Sequence, residues 1–152
     1  MKMVVLAAPL LVLAFAAGAA PAVKPFELRL VVDCGAAGAT PVAYLHQNTR
    51  EALCLSPDLI LSRADVVGAE LVQTGYGDEA ARISISGDAV SRLSAATAAN
   101  TGKRFAVVYD GHIVSAPVLM EPIAGNQLEI NVGSTGDSVE NFVADLATGS
   151  KP

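Results

Sequence analysis

The dipeptide Asp110-Gly111, set between two apolar runs, constrains the fold of this chain more than any other feature. Asp-Gly tolerates the positive φ angles that both central positions of a tight two-residue turn require. The flanking runs, Phe105 to Tyr109 and His112 to Ala116, are rich in the residue types that favour strands. The sequence therefore predicts an antiparallel β-hairpin centred on this turn.

Apolar alternation predicts further strands on both sides of this hairpin. Phe26, Leu28 and Leu30 alternate with charged residues, and Gly75 to Asp78 separate two runs that form a second predicted hairpin. The strands expected outside the Asp110-Gly111 hairpin are Phe26 to Leu30, Val42 to Leu45, Ala52 to Leu55, Ala69 to Thr74, Ala81 to Ile85 and Gln127 to Val132.

Two amphipathic helices complete the predicted fold. Ser86 stands at an N-cap position, and apolar residues recur at helical spacing from Ala89 until Asn100 and Gly102 end the pattern. Since the order of elements contains no repeated βαβ unit, we expect an α+β fold in which both helices pack on one face of a mainly antiparallel sheet. The last helix is expected to open at Ser134 or Thr135, and its apolar stripe comprises Val139, Phe142, Val143 and Leu146.

Both faces of the Asp110-Gly111 hairpin are apolar, so each must be shielded from water by another part of the chain or by a partner. One face is predicted to carry Ala106, Val108, Ile113 and Ser115, and the other Phe105, Val107, Val114 and Ala116. Because the helices cover only one face, the second must be covered by the N-terminal strands or by a partner. We favour the N-terminal strands, which carry apolar residues of their own that need burial, namely Leu28, Leu30, Val42 and Leu45.

The segment from Met1 to Ala22 has the layout of a secretory signal peptide, because Lys2 precedes an apolar run that ends in small residues. The run of about 15 residues is shorter than the roughly 20 that a transmembrane helix needs. An uncleaved membrane anchor is the alternative. We expect residues 1–19 to be removed by cleavage after Ala19, or a slightly longer segment by cleavage after Ala22. The mature protein is then periplasmic or secreted, with no membrane span.

Composition excludes several classes of function. With 52% hydrophobic and 16% charged residues, the chain folds rather than remaining disordered. The chain has fifteen acidic residues against ten Lys and Arg, with no basic cluster. This composition excludes a protein that binds nucleic acid through its phosphate backbone. Two His and two Cys are too few for an iron–sulfur cluster or a four-ligand Cys/His zinc site, so we expect no cofactor.

Cys34 and Cys54 are expected to form a disulfide, because an oxidising compartment favours pairing and two cysteines permit one intramolecular bridge. Closing a loop of about 20 residues would stabilise the fold by roughly 3 kcal/mol. Two buried free thiols, or a metal or redox site, are the alternatives, although the spacing lacks the CxxC of a redox motif.

Residues that could support catalysis are present but poorly arranged. Asp110, His112 and Ser115 are the residue types of a nucleophilic triad, yet alternation along a strand projects His112 and Ser115 from opposite sides. His46 and His112 lack the spacing of a metal-binding pair. No glycine pattern of a phosphate-binding loop is present in the sequence. We therefore expect no catalytic or metal-binding site. The pair Lys103-Arg104 is expected to cap the preceding helix.

The segment TAANTGKRFAVVYDGHIVSAP, residues 97–117, resembles the head subdomain of the periplasmic domain of the SecD protein-export subunit. In that family a helix ending in T-x-x-N-x-G-K-R leads into a strand, a D-G turn and a second strand that closes on S-A-P. The resemblance spans about Pro57 to Gly149. The matching positions are Asn100, Gly102, Lys103, Arg104, Asp110, Gly111, Ser115, Ala116, Pro117, Pro122 and Gly125.

Together, the signal-peptide layout, the strand pattern and the resemblance divide the chain into a signal peptide (1–19, or slightly longer with cleavage after Ala22), an N-terminal strand segment with both cysteines (24–56) and a head-like α+β domain (57–149). The resemblance does not extend to the larger base and the membrane helices of SecD. It therefore implies a non-enzymatic module that binds protein or extended peptide, with translocase components as candidate partners, and not proton-driven translocation. A small periplasmic ligand-binding protein or hydrolase, and a structural envelope protein, are the alternatives.

Overall fold

The computed structural model describes residues 22–132 and 138–148, which form strands and two helices. The strands are β1 (Phe26–Val32), β2 (Thr40–His46), β3 (Thr49–Ser62), β4 (Val66–Gln73), β5 (Glu79–Ile85), β6 (Phe105–Tyr109), β7 (His112–Ser115) and β8 (Gln127–Ile130). The helices are α1 (Gly87–Ala99) and α2 (Val139–Thr148), and a 3-10 turn at Arg63–Asp65 joins β3 to β4. Every strand and helix that the sequence predicts overlaps one of these elements.

The strands form two antiparallel sheets, one in the order β2-β3-β1-β6-β7 and the other in the order β4-β5-β8. This confirms the α+β class and the mainly antiparallel pairing, and corrects the expected single sheet to two. The division follows from the turn after β3. There the carboxylate of Asp65 accepts hydrogen bonds from the backbone N–H of Ser62 at 2.7 Å and from its hydroxyl at 3.1 Å, which redirects the chain into a separate sheet.

The main core lies between the two sheets and includes the apolar faces of both helices. Phe26 and Leu28 of β1 point into it, as the alternation in the sequence predicts. The ring of Phe142 in α2 meets the ring of Tyr109 edge-on, with centroids 4.9 Å apart. The other large side chains that are almost fully buried there are Phe105, Leu61, Ile83, Ile85, Leu93, Leu146 and Val114.

A second core lies on the opposite face of the five-stranded sheet, which curls until Cα atoms of β2 and β7 approach within 8 Å. Its buried members are Tyr44, Leu53, Leu55, Ala106, Val108, Ile113 and Ala116. The second face of the Asp110-Gly111 hairpin is therefore covered by the N-terminal strands, as expected. Val42 contributes to this cover, whereas Leu28 and Leu30 pack in the main core and Leu45 is 42% exposed.

The hairpin around Asp110 and Gly111 is confirmed, with φ angles of 49° and 79° and Tyr109 paired with His112. Val108 opposes Ile113 as predicted, but a register shift then places Ser115 opposite Val107 instead of Ala106. This β-bulge moves Ala116 into the second core, so its predicted place beside Phe105 is wrong. An extra residue in one strand exchanges the faces of all the residues that follow it.

Local signals at the helix ends are also confirmed. Ser86 is the N-cap of α1 and Asn100 its C-cap. Within the described ranges 22–132 and 138–148, neither helix is long and apolar enough to cross a membrane. The signal peptide expected at 1–19, and the helix start expected at Ser134 or Thr135, lie outside these ranges. The signal peptide remains a prediction, whereas the expected helix start is wrong, because α2 begins at Val139 and Ser138 before it is not helical.

The predicted boundary at Pro57 falls inside β3, a strand of 14 residues. Consequently the segments 24–56 and 57–149 contribute to the same five-stranded sheet. Cys34 and Cys54 are joined by a disulfide, with Cα atoms 5.1 Å apart, and so tie the end of β1 to β3. The two segments therefore share a core as well as a covalent link.

Candidate functional site

An apolar groove of about 270 Å³ opens between the two sheets, beside β8. Leu28, Phe105 and Val107 of the five-stranded sheet form its floor. The loop that leads from β7 to β8 forms its roof through Pro117, Leu119 and Ile123, and β8 itself forms one wall. We call this cavity the β8 groove. Its apolar floor and roof suit side chains that avoid water.

The wall of the β8 groove exposes a strand edge as well as side chains. All four residues of β8 line the groove, although side chains alternate along a strand, so the backbone edge itself borders the cavity. The ladder with β5 includes a bond from the N–H of Ile85 to the carbonyl of Asn126. Hydrogen-bonded and non-hydrogen-bonded pairs alternate along an antiparallel ladder. The bond at Asn126 therefore places the N–H and C=O groups of Leu128 and Ile130 on the side of β5. Those of Gln127 and Glu129 point away from β5.

The roof of the β8 groove is fastened to the end of α1. The buried hydroxyl of Thr97 accepts a hydrogen bond from the backbone N–H of Ile123 at 3.0 Å. The N–H of Gly102 donates to the carbonyl of Leu119 at 2.7 Å, and the N–H of Leu119 donates to the carbonyl of Lys103 at 3.1 Å. Three hydrogen bonds thus hold the loop at two of its residues, Leu119 and Ile123.

Several residues of the family-like motif stabilise the end of α1, to which the roof loop is bound. The side-chain amide of Asn100 donates to the carbonyl of Ala96 at 2.9 Å, and its oxygen accepts from the ammonium of Lys103 at 3.0 Å. Gly102 has a φ of +80°, which favours glycine. Lys103 therefore lies at the end of the preceding helix as predicted.

Arg104 has a different role from the predicted helix cap. Its guanidinium donates to the carboxylate of Glu51 at 3.0 Å and lies 5.9 Å from the centre of the Tyr44 ring. Both contacts are on the side of the second core. The two neighbouring side chains therefore point in different directions: Lys103 reaches Asn100 at the end of α1, whereas Arg104 reaches Glu51 of β3.

The remaining motif positions lie along the roof and the hairpin. The carbonyl of Pro117 accepts a hydrogen bond from the N–H of Phe105 at 2.9 Å, which places Pro117 at the groove. Ser115 is half-buried, Pro122 is exposed, and Gly125 has a φ of +98° at the end of the roof loop. Of the motif positions, Pro117 lines the β8 groove, and Gly102 and Lys103 hold its roof through backbone hydrogen bonds. The motif residues as a whole do not meet at one point.

The residue types of a nucleophilic triad are not brought together. Asp110 and His112 are exposed at the hairpin turn, and Ser115 lies beyond the bulge in β7. His46 lies on the β2–β3 hairpin, where its Nδ1 is 3.3 Å from the hydroxyl of Tyr44. Among the described residues, no group of three or more His, Cys, Asp or Glu side chains could hold a metal ion.

A second cavity, of about 430 Å³, lies where β2 and β7 approach each other, and includes Tyr44, His46 and Ser115 in its lining. A strand inserted between these two edges would need them about 10 Å apart. Cα atoms of β2 and β7 already lie within 8 Å, so this gap is too narrow for an added strand. The β8 groove is the better candidate for an extended chain.

Charges near the β8 groove lie on the outer face of its sheet. Arg82 donates to Glu129 at 2.8 Å and to Glu70 at 3.1 Å, which raises the pKa of its guanidinium above the ordinary value. The largest cause of this shift is the hydrogen bond to Glu129. The carboxylate of Glu129 is thereby engaged on the outer face, which leaves the groove itself apolar.

The β8 groove was not predicted from the sequence. Apolar residues at Val118, Leu119, Met120 and Ile123 in an otherwise turn-rich loop are the one signal that could have drawn attention to it. Val118 and Met120 are 50% and 73% exposed, while Leu119 and Ile123 line the groove. Loop residues have no fixed period, so sequence alone does not say which of them point inward.

Comparison with known proteins identifies relatives that match most of this chain. The family model of the SecDF P1 head subdomain matches residues 40–152. The protein translocase subunit SecDF of Thermus thermophilus is 31% identical over 140 residues, which cover 83% of this chain and 19% of that protein. SecD of Acetobacter pasteurianus is 29% identical over 99 residues, covering 61% of this chain and 19% of that protein. The chain thus spans about one fifth of the length of these relatives.

Solved structures show the same fold. A structure of the membrane component SecDF that enhances protein export aligns with a TM-score of 0.60 at 23% identity, over 84% of this chain and 61% of that one. The crystal structure of SecDF from Thermus thermophilus, a translocon-associated membrane protein, aligns with a TM-score of 0.55 at 26% identity, over 85% of this chain and 20% of that one. Because the family model covers most of the chain, the resemblance seen at residues 97–117 is confirmed. The chain belongs to the SecDF P1 head subdomain family.

Proposed function

We propose that this chain is a non-enzymatic module that binds an extended polypeptide along β8 and takes part in protein export. The observation that carries the proposal is the coincidence of an outward-facing strand edge with an apolar groove. The outward N–H and C=O groups of Gln127 and Glu129 can pair with an added strand. Alternate side chains of that strand would then enter the groove above Phe105 and Val107.

Main-chain pairing explains why such a module would accept many sequences. The hydrogen bonds are made with backbone groups, which every bound polypeptide has. The groove selects only for apolar side chains at alternate positions of that polypeptide. The formal charge of −5 adds a preference for cationic segments. This preference should weaken as salt rises, because exposed charges are screened beyond about 10 Å at 0.1 M ionic strength.

The compartment and the partners belong to the same proposal. The disulfide between Cys34 and Cys54 supports an oxidising compartment such as the periplasm. The relatives are named as translocase subunits, which supports translocase components or exported chains as partners. A small ligand-binding protein or a hydrolase is the second candidate function, and the cavity beside Tyr44 and His46 is where a small ligand would be sought.

The decisive experiment changes the outward backbone groups of β8 without disturbing its pairing with β5. Glu129→Pro removes one outward N–H, and proline is tolerated at edge positions of this kind. Glu129→Ala is the matched control, because it loses the same contact with Arg82 but keeps the N–H. Binding of unrelated extended peptides, basic and neutral, is measured by fluorescence anisotropy at low and high salt.

We expect Glu129→Ala to bind as the unchanged protein does and Glu129→Pro to bind at least about tenfold more weakly, the effect of about 1.4 kcal/mol of lost pairing. Basic peptides should bind more tightly than neutral ones at low salt only. Equal binding by both variants would overturn strand addition at β8. Tight, salt-insensitive binding of one small molecule, with no peptide binding, would instead place the protein in the ligand-binding class.

A further inference from the structure

The other edge of the three-stranded sheet, β4, also directs backbone groups away from its partner. The N–H of Thr74 donates to the carbonyl of Asp78 at 2.7 Å, and this bond shows which alternate residues of β4 exchange hydrogen bonds with β5. The backbone groups of Gly68, Glu70 and Val72 therefore face β5. Those of Ala69, Leu71 and Gln73 face outward, where no strand of the described ranges pairs with them.

Large, partly exposed apolar side chains lie along this edge of β4. Val67 is 55% exposed and Leu71 is 41% exposed, on a strand of eight residues. Long apolar edge strands are usually shielded, because they invite pairing with another chain. Here the shielding consists of Glu70 and of a register shift between Val66 and Gly68. Both devices restrict which partner can pair, and in which register.

We propose that β4 pairs in an antiparallel manner with β4 of a second copy of this chain, around a two-fold axis at Ala69. In this register Ala69 lies opposite Ala69 of the other copy, and Leu71 lies opposite Val67. The outward backbone groups of Ala69 then meet those of Ala69 in the other copy in the hydrogen-bonded arrangement, and the exposed side chain of Leu71 meets that of Val67. Glu70 lies opposite Gly68, so no like charges face each other across the pair.

Alternative self-pairing registers are less favourable. An axis at Glu70 would place two carboxylates directly opposite each other, which is destabilising. An axis at Leu71 would leave Val67 opposite the turn residue Gly75, outside the strand. Pairing of one short strand is at the small end of specific interfaces, so we expect a monomer–dimer equilibrium that depends on concentration. The pairing uses the edge opposite the β8 groove and does not depend on the proposed function.

The first test is sedimentation equilibrium of the purified protein over a wide concentration range, compared with Leu71→Lys. The matched control is Leu59→Lys, because Leu59 is 43% exposed but lies on β3, in the other sheet. We expect the unchanged protein and Leu59→Lys to dimerise with similar constants, and Leu71→Lys to be at least about tenfold weaker. Ala69→Pro, which removes the central outward N–H, gives a second variant should Leu71→Lys fail to fold.

The second test fixes the register by oxidative cross-linking. The double variant Val67→Cys with Leu71→Cys should form a covalent dimer, since these positions face each other in the proposed pair. Leu71→Cys alone should not, because its partner position is Val67. A protein that stays monomeric at all concentrations would overturn the proposal, and efficient cross-linking of Leu71→Cys alone would overturn the axis at Ala69.

Discussion

The hydroxyl of Thr97, at the buried end of α1, accepts a hydrogen bond from the backbone N–H of Ile123, 26 residues further along the chain. The same hydroxyl donates to the carbonyl of Leu93 at 2.8 Å. One side chain thus connects the helix to the roof of the β8 groove. This contact makes the position of the roof depend on the stability of α1.

Thr97→Val should therefore destabilise the fold by about 1 to 3 kcal/mol, because it keeps the shape of the side chain but leaves the part-buried N–H of Ile123 without its acceptor. The free energy of unfolding is measured by urea denaturation. Thr97→Ser, which keeps the hydroxyl, is the control and should retain most of the stability. A larger loss for Thr97→Ser than for Thr97→Val would mean that the methyl group, and not the hydrogen bond, matters at this position.

Gly111→Val should destabilise the protein by about 1 to 3 kcal/mol through backbone strain, because Gly111 has a φ of +79°. Gly75→Ala is a suitable control, since Gly75 lies in another hairpin turn without a positive φ and with no atom close to an added Cβ. Its melting temperature should change little. A melting temperature of Gly111→Val equal to that of the unchanged protein would contradict the turn conformation.

Reduction of the bridge between Cys34 and Cys54 should lower the free energy of unfolding by roughly 3 kcal/mol, because the bridge restricts the unfolded chain. Urea denaturation with and without a reductant measures this difference. The double variant Cys34→Ala with Cys54→Ala should show no response to the reductant. Two thiols that react with an alkylating reagent in the freshly isolated protein would show that the bridge does not form.

Asp145 should contribute to a pH dependence of stability. A hydrogen bond from the hydroxyl of Tyr109, followed by the ammonium of Lys24 at 3.4 Å, lowers the pKa of Asp145 below its ordinary value of 3.8. A carboxyl group whose pKa is lower in the folded state stabilises the fold above the unfolded-state pKa. This stabilisation is lost as the pH falls through the folded-state pKa.

The unchanged protein should therefore be more stable than Asp145→Asn at neutral pH, and the difference should shrink below pH 3.8. Urea denaturation across this range measures it. In a Tyr109→Phe background the same comparison should give a smaller difference at neutral pH, because the hydrogen bond is absent in both proteins. A difference that stays constant down to about pH 2 would contradict a lowered pKa.

Local chemistry was enough to predict the elements and the Asp110-Gly111 turn. Apolar alternation identified β1, and helical spacing with a cap at Ser86 identified α1, because these signals depend on neighbours within a few residues. The pairing of Cys34 with Cys54 followed from a count of two and an exported context. The motif around Asn100 and Gly102 predicted the family, which the family model confirms.

Only the tertiary structure decided how the strands divide into two sheets and where the groove lies. The 3-10 turn after Ser62 separates β4 from the first sheet, and a one-residue bulge moves Ala116 to the opposite face. The β8 groove joins Phe105, Ile123 and Leu128, which no sequence period relates. Their proximity depends on the summed packing of both sheets and on contacts such as Thr97 with Ile123, which link residues far apart in the chain.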